Sequence, residues 1–141
     1  EAGGSGRTDV YVNARWAIEV SGMYNLPWDV NVGAFYNAHE GYPFPQSILS
    51  PSRRNRAGSI QVLLEPMATV RLDDVHLVDA RVEKVFTPFG RAHVSVTVDV
   101  FNVTNANTAL IKERQQNSTR ANLIRDIIPP RVARLGIRVS W

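Results

Sequence analysis

Apolar and polar residues alternate in five separate stretches of this chain. In the last stretch, Leu135, Ile137 and Val139 alternate with charged or small residues, and the sequence closes on Trp141. A period of two residues indicates a β-strand with one apolar and one polar face. The pattern therefore predicts five strands of about ten residues each. They are predicted at 15–24, 30–39, 76–86, 93–101 and 131–141.

The connections between these strands are alternately short and long. Short, turn-like segments occupy 25–29 and 87–90, whereas long polar loops run over about 40–74 and 102–130. An antiparallel meander with tight turns at one end and long loops at the other produces this rhythm. Within the first long loop, 59–72 is compatible with extended structure. Because no long stretch has a helical apolar period, we predict an all-β antiparallel meander of about five long strands.

The alternation alone fits two kinds of protein. In a soluble sandwich the apolar faces pack together, whereas in a transmembrane barrel they contact lipid. The barrel is favoured because Val94, Val96, Val98 and Val100 form an aliphatic mid-strand face and because aromatic residues lie near strand ends, as in interfacial girdles. Those aromatic residues are Trp16, Tyr24, Trp28, Tyr36, Phe86, Phe89 and Trp141.

The composition of the chain excludes several further classes of protein. The chain has 141 residues, which suits one domain, and its formal net charge of +3 is too small to indicate a nucleic-acid partner. It contains no cysteine, which excludes disulfides and thiolate metal ligands. No apolar run is long enough for a transmembrane helix. The sequence begins at Glu1 without a methionine or signal peptide, so we expect a piece of a longer or processed protein.

No residue constellation predicts an enzyme. His39, His76 and His93 lie far apart without metal-ligand spacing, and an exposed loop-edge histidine explains His39 beside Glu40 more simply than a metal does. Ser59 lacks the strand–turn–helix context of a hydrolase nucleophile. We therefore expect no catalytic residue, no metal site and no cofactor.

Four stretches of the chain carry a family resemblance. They are FYNAHEGYP (35–43), VDARVEKVF (78–86), VDVFNVTN (98–105) and IPPRVARLGIRVSW (128–141). In order, and with the same spacing rhythm, they are similar to the C-terminal end of a TonB-dependent outer-membrane receptor, of the type with an N-terminal carboxypeptidase-regulatory-like domain. The Trp141 position resembles the aromatic residue that usually ends such barrels, where phenylalanine is more common.

The resemblance implies that 1–141 is a partial, C-terminal segment of a transmembrane β-barrel of about 22 strands, with the plug and earlier strands absent. It implies a bacterial outer-membrane location and a role as wall, external loops and assembly signal of a transporter for a large or scarce nutrient. The implied partners are outer-membrane lipid, the barrel-assembly machinery, the TonB complex through the missing N-terminal region, and an unknown small ligand or oligosaccharide. No nucleic acid is implied.

Residue roles follow from the same resemblance. The expected ligand-contacting residues of an external loop are Tyr42, Phe44, Arg53, Arg54 and Arg56. The expected assembly signal is Ile137, Val139 and Trp141. The expected lumen-facing residues are Glu19, Asn31, Asp79, Arg81, Glu83, Thr97, Asp99, Arg134 and Arg138. The expected lipid-facing residues are Ile18, Val20, Val32, Ala34, Ala80, Val82, Val96, Val98, Leu135, Ile137 and Val139.

Two alternatives remain open at this point. A soluble β-sandwich binding module would bury the valine face and remain folded in buffer without detergent. A non-transport outer-membrane barrel, such as an adhesin or an enzyme barrel, would insert in the membrane but lack an upstream plug and TonB-contacting segment.

Overall fold

The computed structural model describes residues 14–52, 58–66, 69–89 and 92–141, and its regular secondary structure there consists of β-strands alone. In these ranges there is accordingly no helix with the length and hydropathy to cross a membrane. The strands are β1 (Ala17–Leu26), β2 (Val30–His39), β3 (Ser47–Leu49), β4 (Gln61–Leu63), β5 (Val75–Phe89), β6 (Ala92–Phe101), β7 (Ala109–Lys112), β8 (Ile124–Ile127) and β9 (Val132–Ser140).

The five long strands form one antiparallel sheet in the order β1-β2-β5-β6-β9. Each long strand therefore pairs with the next long strand along the chain, and the predicted all-β antiparallel meander is confirmed. The predicted strands also agree with the observed ones to within three residues at each end. The strands β1 and β9 form the two edges of this sheet.

The largest difference in a strand boundary concerns the end of β5. The sequence predicted a turn from Thr87, but β5 continues to Phe89. A register shift between Phe86 and Phe89 permits this extension. Pro88 lies inside the shift, where its missing N–H leaves no gap in the ladder of hydrogen bonds.

The turn between β1 and β2 contains two consecutive left-handed residues. Trp28 has φ of 66° and Asp29 has φ of 58°. Consecutive positive φ values match the right-handed twist of antiparallel strands, although they are uncommon for a bulky side chain. Strand β5 supports the turn, because the Val85 N–H donates to the Asp29 carbonyl at 3.0 Å and the Lys84 ammonium donates to the Trp28 carbonyl.

The register gives the sheet two chemically distinct faces. Cross-strand partners such as Val82 and Val98, or Arg81 and Asp99, lie on the same face because side chains alternate along every strand. The apolar face comprises Ile18, Val20, Tyr24, Leu26, Val30, Val32, Ala34, Tyr36, Val78, Ala80, Val82, Val94, Val96, Val98, Val100, Ala133, Leu135, Ile137 and Val139. The opposite face, the polar face, is mixed and contains the apolar residues Met23, Phe35, Leu77 and Phe101. Its polar residues are Glu19, Ser21, Asn25, Asn31, Asn37, Asp79, Arg81, Glu83, Ser95, Thr97, Asp99, Arg134 and Arg138.

The chain divides into two compact units. The sheet unit consists of 17–39, 75–107 and 129–141 and contains the five long strands. The loop unit contains the two long connections, 40–74 and 108–128, together with the residues before β1.

Two short hairpins give the loop unit its regular structure. Strand β3 pairs with β4, and β7 pairs with β8. The β4 strand falls in the stretch that the sequence marked as compatible with extended structure. The β7–β8 pair was not predicted, because four-residue strands with two register shifts leave no alternating pattern to detect.

Strand β3 joins the two long loops. The Ser47 N–H donates to the Arg114 carbonyl at 3.0 Å, and the Gln116 N–H donates to the Ser47 carbonyl at 2.8 Å. The Asn117 side chain continues this ladder, because its amide accepts from the Leu49 N–H at 3.0 Å and donates to the Leu49 carbonyl at 2.8 Å. Ser47 is fully buried at this junction. The two loops therefore fold as a single body.

Candidate functional site

The apolar face of the sheet is widely exposed. Leu135 and Ile137 on β9 are each 68% exposed, and Val20 on β1 is 57% exposed. Even the more central Val82 and Val98 remain 44% and 42% exposed. Exposed apolar patches of this extent mark surfaces that contact protein, ligand or membrane. All eleven residues predicted to face lipid lie on this face.

Aromatic side chains concentrate at both ends of the sheet. At the end with the β1–β2 turn lie Tyr24, Trp28, Phe86 and Trp141, each more than 36% exposed. At the long-loop end, the Tyr36 hydroxyl and His76 Nδ1 are 2.9 Å apart, and their rings stack with centroids separated by 6.3 Å. Amphipathic rings at both ends of an apolar band are typical of proteins that cross a membrane.

A compact ion cluster occupies the polar face. Asp99 on β6 lies between Arg81 on β5 and Arg134 on β9, in direct cross-strand register with both. Its carboxylate accepts from Arg81 Nε at 2.8 Å, from Arg134 Nε at 3.0 Å and from Arg134 Nη2 at 2.7 Å. The Arg134 guanidinium also lies over the Phe101 ring, 5.4 Å from its centroid.

Asp99 is only 6% exposed, whereas the side chains of its two arginine partners are 58% and 62% exposed. A nearly buried carboxylate with charge-assisted hydrogen bonds from two arginines has its acceptor sites largely satisfied. The cluster therefore fixes three neighbouring strands and carries one surplus positive charge. It holds three of the residues predicted to face a lumen.

The remaining predicted lumen-facing residues lie on the same face. Glu83 accepts from the Asn31 amide at 3.2 Å, and Asp79 accepts from the Asn102 N–H at 2.8 Å. Two open hollows of about 400 Å³ and about 320 Å³ lie among these side chains. The hollows adjoin Gly33 and Gly136, which have no side chain to fill them. The polar face thus has room for small groups.

Asn102 is a buried residue whose role the sequence reasoning missed. It follows β6 with φ of 51° and is 4% exposed. Its side-chain amide donates to the carbonyls of Ala106 and Pro129, at 2.9 Å and 2.8 Å, and its side-chain oxygen accepts from the Ala106 N–H at 2.8 Å. Asparagine tolerates the left-handed region, so its position directly after a strand was the available signal. Asn102 closes the long-loop end of β6 and β9.

The predicted ligand-contacting residues fall into three groups. Phe44 is only 6% exposed and belongs to the interior of the loop unit. Tyr42 is half-buried, and its carbonyl accepts from the Leu72 N–H at 2.9 Å. The three arginines of that prediction, Arg53, Arg54 and Arg56, lie outside the described residues.

An ion-pair network at the start of the loop unit was also missed. Glu40 lies 3.2 Å from both Arg15 Nε and Arg71 Nη1, and the side chains of Glu40 and Arg71 are 13% and 10% exposed. Arg71 Nη1 also donates to the Gly41 carbonyl at 3.0 Å. A Cβ added at Gly41 would stand 1.8 Å from the Leu72 carbonyl oxygen. Glycine is thus required for the close approach of these two segments.

Within the described ranges, no group of three or more histidine, aspartate or glutamate side chains has an arrangement that could hold a metal ion. No protein-family model, curated protein or solved structure shows significant similarity to this chain. The two faces of the sheet and the folded loop unit are therefore the features on which a function must be argued.

Proposed function

We propose that this chain is a terminal wall segment of a TonB-dependent outer-membrane transporter, contributing external loops and an assembly signal. The supporting observation is the apolar face, which continues across all five long strands and is widely exposed. The opposite face carries a hydrogen-bonded ion cluster. In a transmembrane barrel, lipid would cover the apolar face, and the water in the lumen would solvate the polar face.

The sheet edges favour a larger barrel over an isolated sheet. Five strands are too few to close into a transmembrane barrel, since the smallest outer-membrane barrels have eight. Edge strands in lipid would carry unsatisfied N–H and carbonyl groups, which cost several kcal/mol each. In the proposed barrel, β1 pairs with a preceding strand of the same protein. Strand β9 pairs with the first strand of the barrel and closes it.

The lengths of the connections between strands favour one orientation of the sheet in the membrane. The β1–β2 turn is short, and the connections that form the loop unit are long. Outer-membrane barrels have short periplasmic turns and longer extracellular loops. In the proposed orientation, the turn end of the sheet lies at the periplasmic interface and the opposite end of the sheet lies at the outer surface. The transported ligand would first meet the long connections.

Cell fractionation tests the proposal. The natural full-length protein should be recovered from the outer membrane as a heat-modifiable species that requires detergent for extraction. Trp141→Ala should reduce the inserted amount, while Trp141→Phe should preserve it. A protein that is folded and soluble without detergent would instead identify the apolar face as the core of a sandwich.

A growth assay separates a transporter from a barrel of another kind. Deleting the gene, or removing TonB function, should impair growth on the same nutrient in a panel of iron chelates, cobalamin, oligosaccharides and peptides. A correctly inserted protein whose loss leaves growth unchanged throughout the panel would favour a non-transport barrel.

A further inference from the structure

Lys84 is a basic residue on the otherwise apolar face. The register places it between Val30 on β2 and Val96 on β6. On β5 itself, His76 is the other polar residue of that face, and three aliphatic residues separate the two. The position of Lys84 needs a physical reason, because an unpaired cation is costly on a lipid-facing surface.

The surroundings of Lys84 hold its ammonium group at the turn end of the sheet. Its Nζ donates to the carbonyl of Trp28 and lies 5.4 Å from the centroid of the Phe86 ring. Among the residues that the structure describes, no carboxylate oxygen lies within 4 Å of this nitrogen. An ammonium group has three donors, and the carbonyl uses one of them. Two donors and a full positive charge remain for a partner.

The position along the strand gives the depth of this group. Lys84 lies eight positions after His76, which corresponds to about 26 Å of extended strand. The apolar band of an outer-membrane barrel is about 25 Å tall, and strand tilt shortens the rise between the two residues to about 20 Å. The lysine side chain recovers part of this difference because it extends toward Trp28 in the turn. With His76 placed at the outer edge of the band in the proposed barrel, the ammonium group thus reaches the headgroup level at the turn end.

We propose that Lys84 binds the phosphate of an anionic glycerophospholipid at the turn end of the sheet, beside Trp28 and Phe86. This inference rests on the proposed membrane function. The ammonium group would supply the charge and two hydrogen bonds, and Trp28, which is 81% exposed, would lie at headgroup level. The aliphatic row formed by Val96 and Ile137 would contact the acyl chains.

A lipid fits these residues better than a water-soluble anion does. A free phosphate would gain nothing from the surrounding aliphatic and aromatic side chains, whereas a phospholipid presents a charge and a hydrocarbon chain in the required order. The charge also selects among lipids, because a zwitterionic headgroup offers no net charge to balance Lys84. The site therefore distinguishes phosphatidylglycerol from phosphatidylcholine.

Native mass spectrometry of the full-length protein tests this site. The protein is extracted into detergent micelles containing equal amounts of phosphatidylglycerol and phosphatidylcholine, and retained lipids are counted as the micelle is removed. Wild type and Lys84→Arg should retain one more phosphatidylglycerol than Lys84→Gln. The matched control is Lys112→Gln, which makes the same change in the loop unit and should behave as wild type. The expected loss of affinity is about fivefold, the equivalent of about 1 kcal/mol for one basic group at an anionic surface.

The outcomes separate this inference from the membrane proposal. Equal retention of phosphatidylglycerol by wild type and Lys84→Gln, in a protein that still inserts as a barrel, would overturn the lipid site alone. Equal retention of both lipids by the wild type would also overturn it. A protein that stays soluble and carries no lipid would overturn both proposals.

Discussion

Replacing Val98 by arginine is expected to destabilise the inserted protein strongly. Val98 is central on the apolar face, between Val82 on β5 and Leu135 on β9. All three side chains are more than 40% exposed, so the new arginine would enter whatever medium covers the face. Arginine at the bilayer midplane of an outer-membrane barrel costs about 2–4 kcal/mol. That cost corresponds to a roughly 30- to 700-fold smaller folding equilibrium constant.

The assay is equilibrium unfolding of the full-length protein in phospholipid vesicles, followed by tryptophan fluorescence. Two matched variants test whether the cost of an arginine depends on its depth and on its face of the sheet. Val94→Arg lies in the row with Phe86, near the turn end, where the cost should fall to about 0–1 kcal/mol. Thr97→Arg adds the same charge to the polar face beside Glu83 and should change stability by less than about 0.5 kcal/mol.

The relation between cost and depth distinguishes lipid from a protein core. A buried sandwich core would penalise arginine at Val94 and Val98 alike, since both would lose protein contacts. If Val98→Arg instead stays within about 0.5 kcal/mol of wild type, the face is exposed to water and the membrane reasoning fails.

Three further changes test the loop unit and the ion cluster. Gly41→Ala should destabilise the loop unit by about 3 kcal/mol, the upper range for overpacking, because the new Cβ would meet the Leu72 backbone. Faster hydrogen exchange in 40–74 would report this destabilisation. Hydrogen bonding from the Gln115 N–H, and then from Arg125, holds the pKa of Glu113 below its usual range. Its stabilisation is therefore complete above the ordinary glutamate pKa and lost as the pH falls through the lowered value, so exchange in the β7–β8 hairpin should accelerate in that acidic window. Asp99→Asn should lower the urea midpoint, because two arginines lose their shared anion.

Each of these predictions has its own control. Gly22→Ala places a Cβ where nothing lies within 4 Å, so loop exchange should not change. Glu113→Gln should remove the acid dependence of the hairpin; an unchanged dependence would assign it to another group. Adding Arg134→Leu to Asp99→Asn should restore part of the stability, and a strictly additive loss would mean that the two residues act independently.

The sheet was predictable from the sequence because alternation repeats over ten residues in each long strand. A long strand with one apolar face fixes its own register, since a slip of one residue would turn every side chain to the wrong face. The assignment of Asp99, Arg81 and Arg134 to one face followed from the same period. Their mutual hydrogen bonds did not, because alternation sets the face of a residue but not its cross-strand partner.

The loop unit was less predictable because its order comes from isolated contacts. Ser47 and Gln115 form a single parallel bridge, which leaves no periodic trace in the sequence. Phe44 was predicted to contact ligand because the family resemblance makes its loop an external one, where substrate is first met. Its burial depends on pairing between the backbone segments around Tyr42 and Leu72, about 30 residues apart in the chain, which composition does not reveal.

The ladder that joins the two long loops through Ser47 and Asn117 limits how this protein can be re-engineered. Exchanging one loop for a counterpart from another protein would remove half of a shared hydrogen-bonding pattern and leave the other half without partners. Successful chimeras should therefore transplant 40–74 and 108–128 as a matched pair. For the same reason, antibodies raised against a peptide from either segment alone should recognise the folded protein poorly.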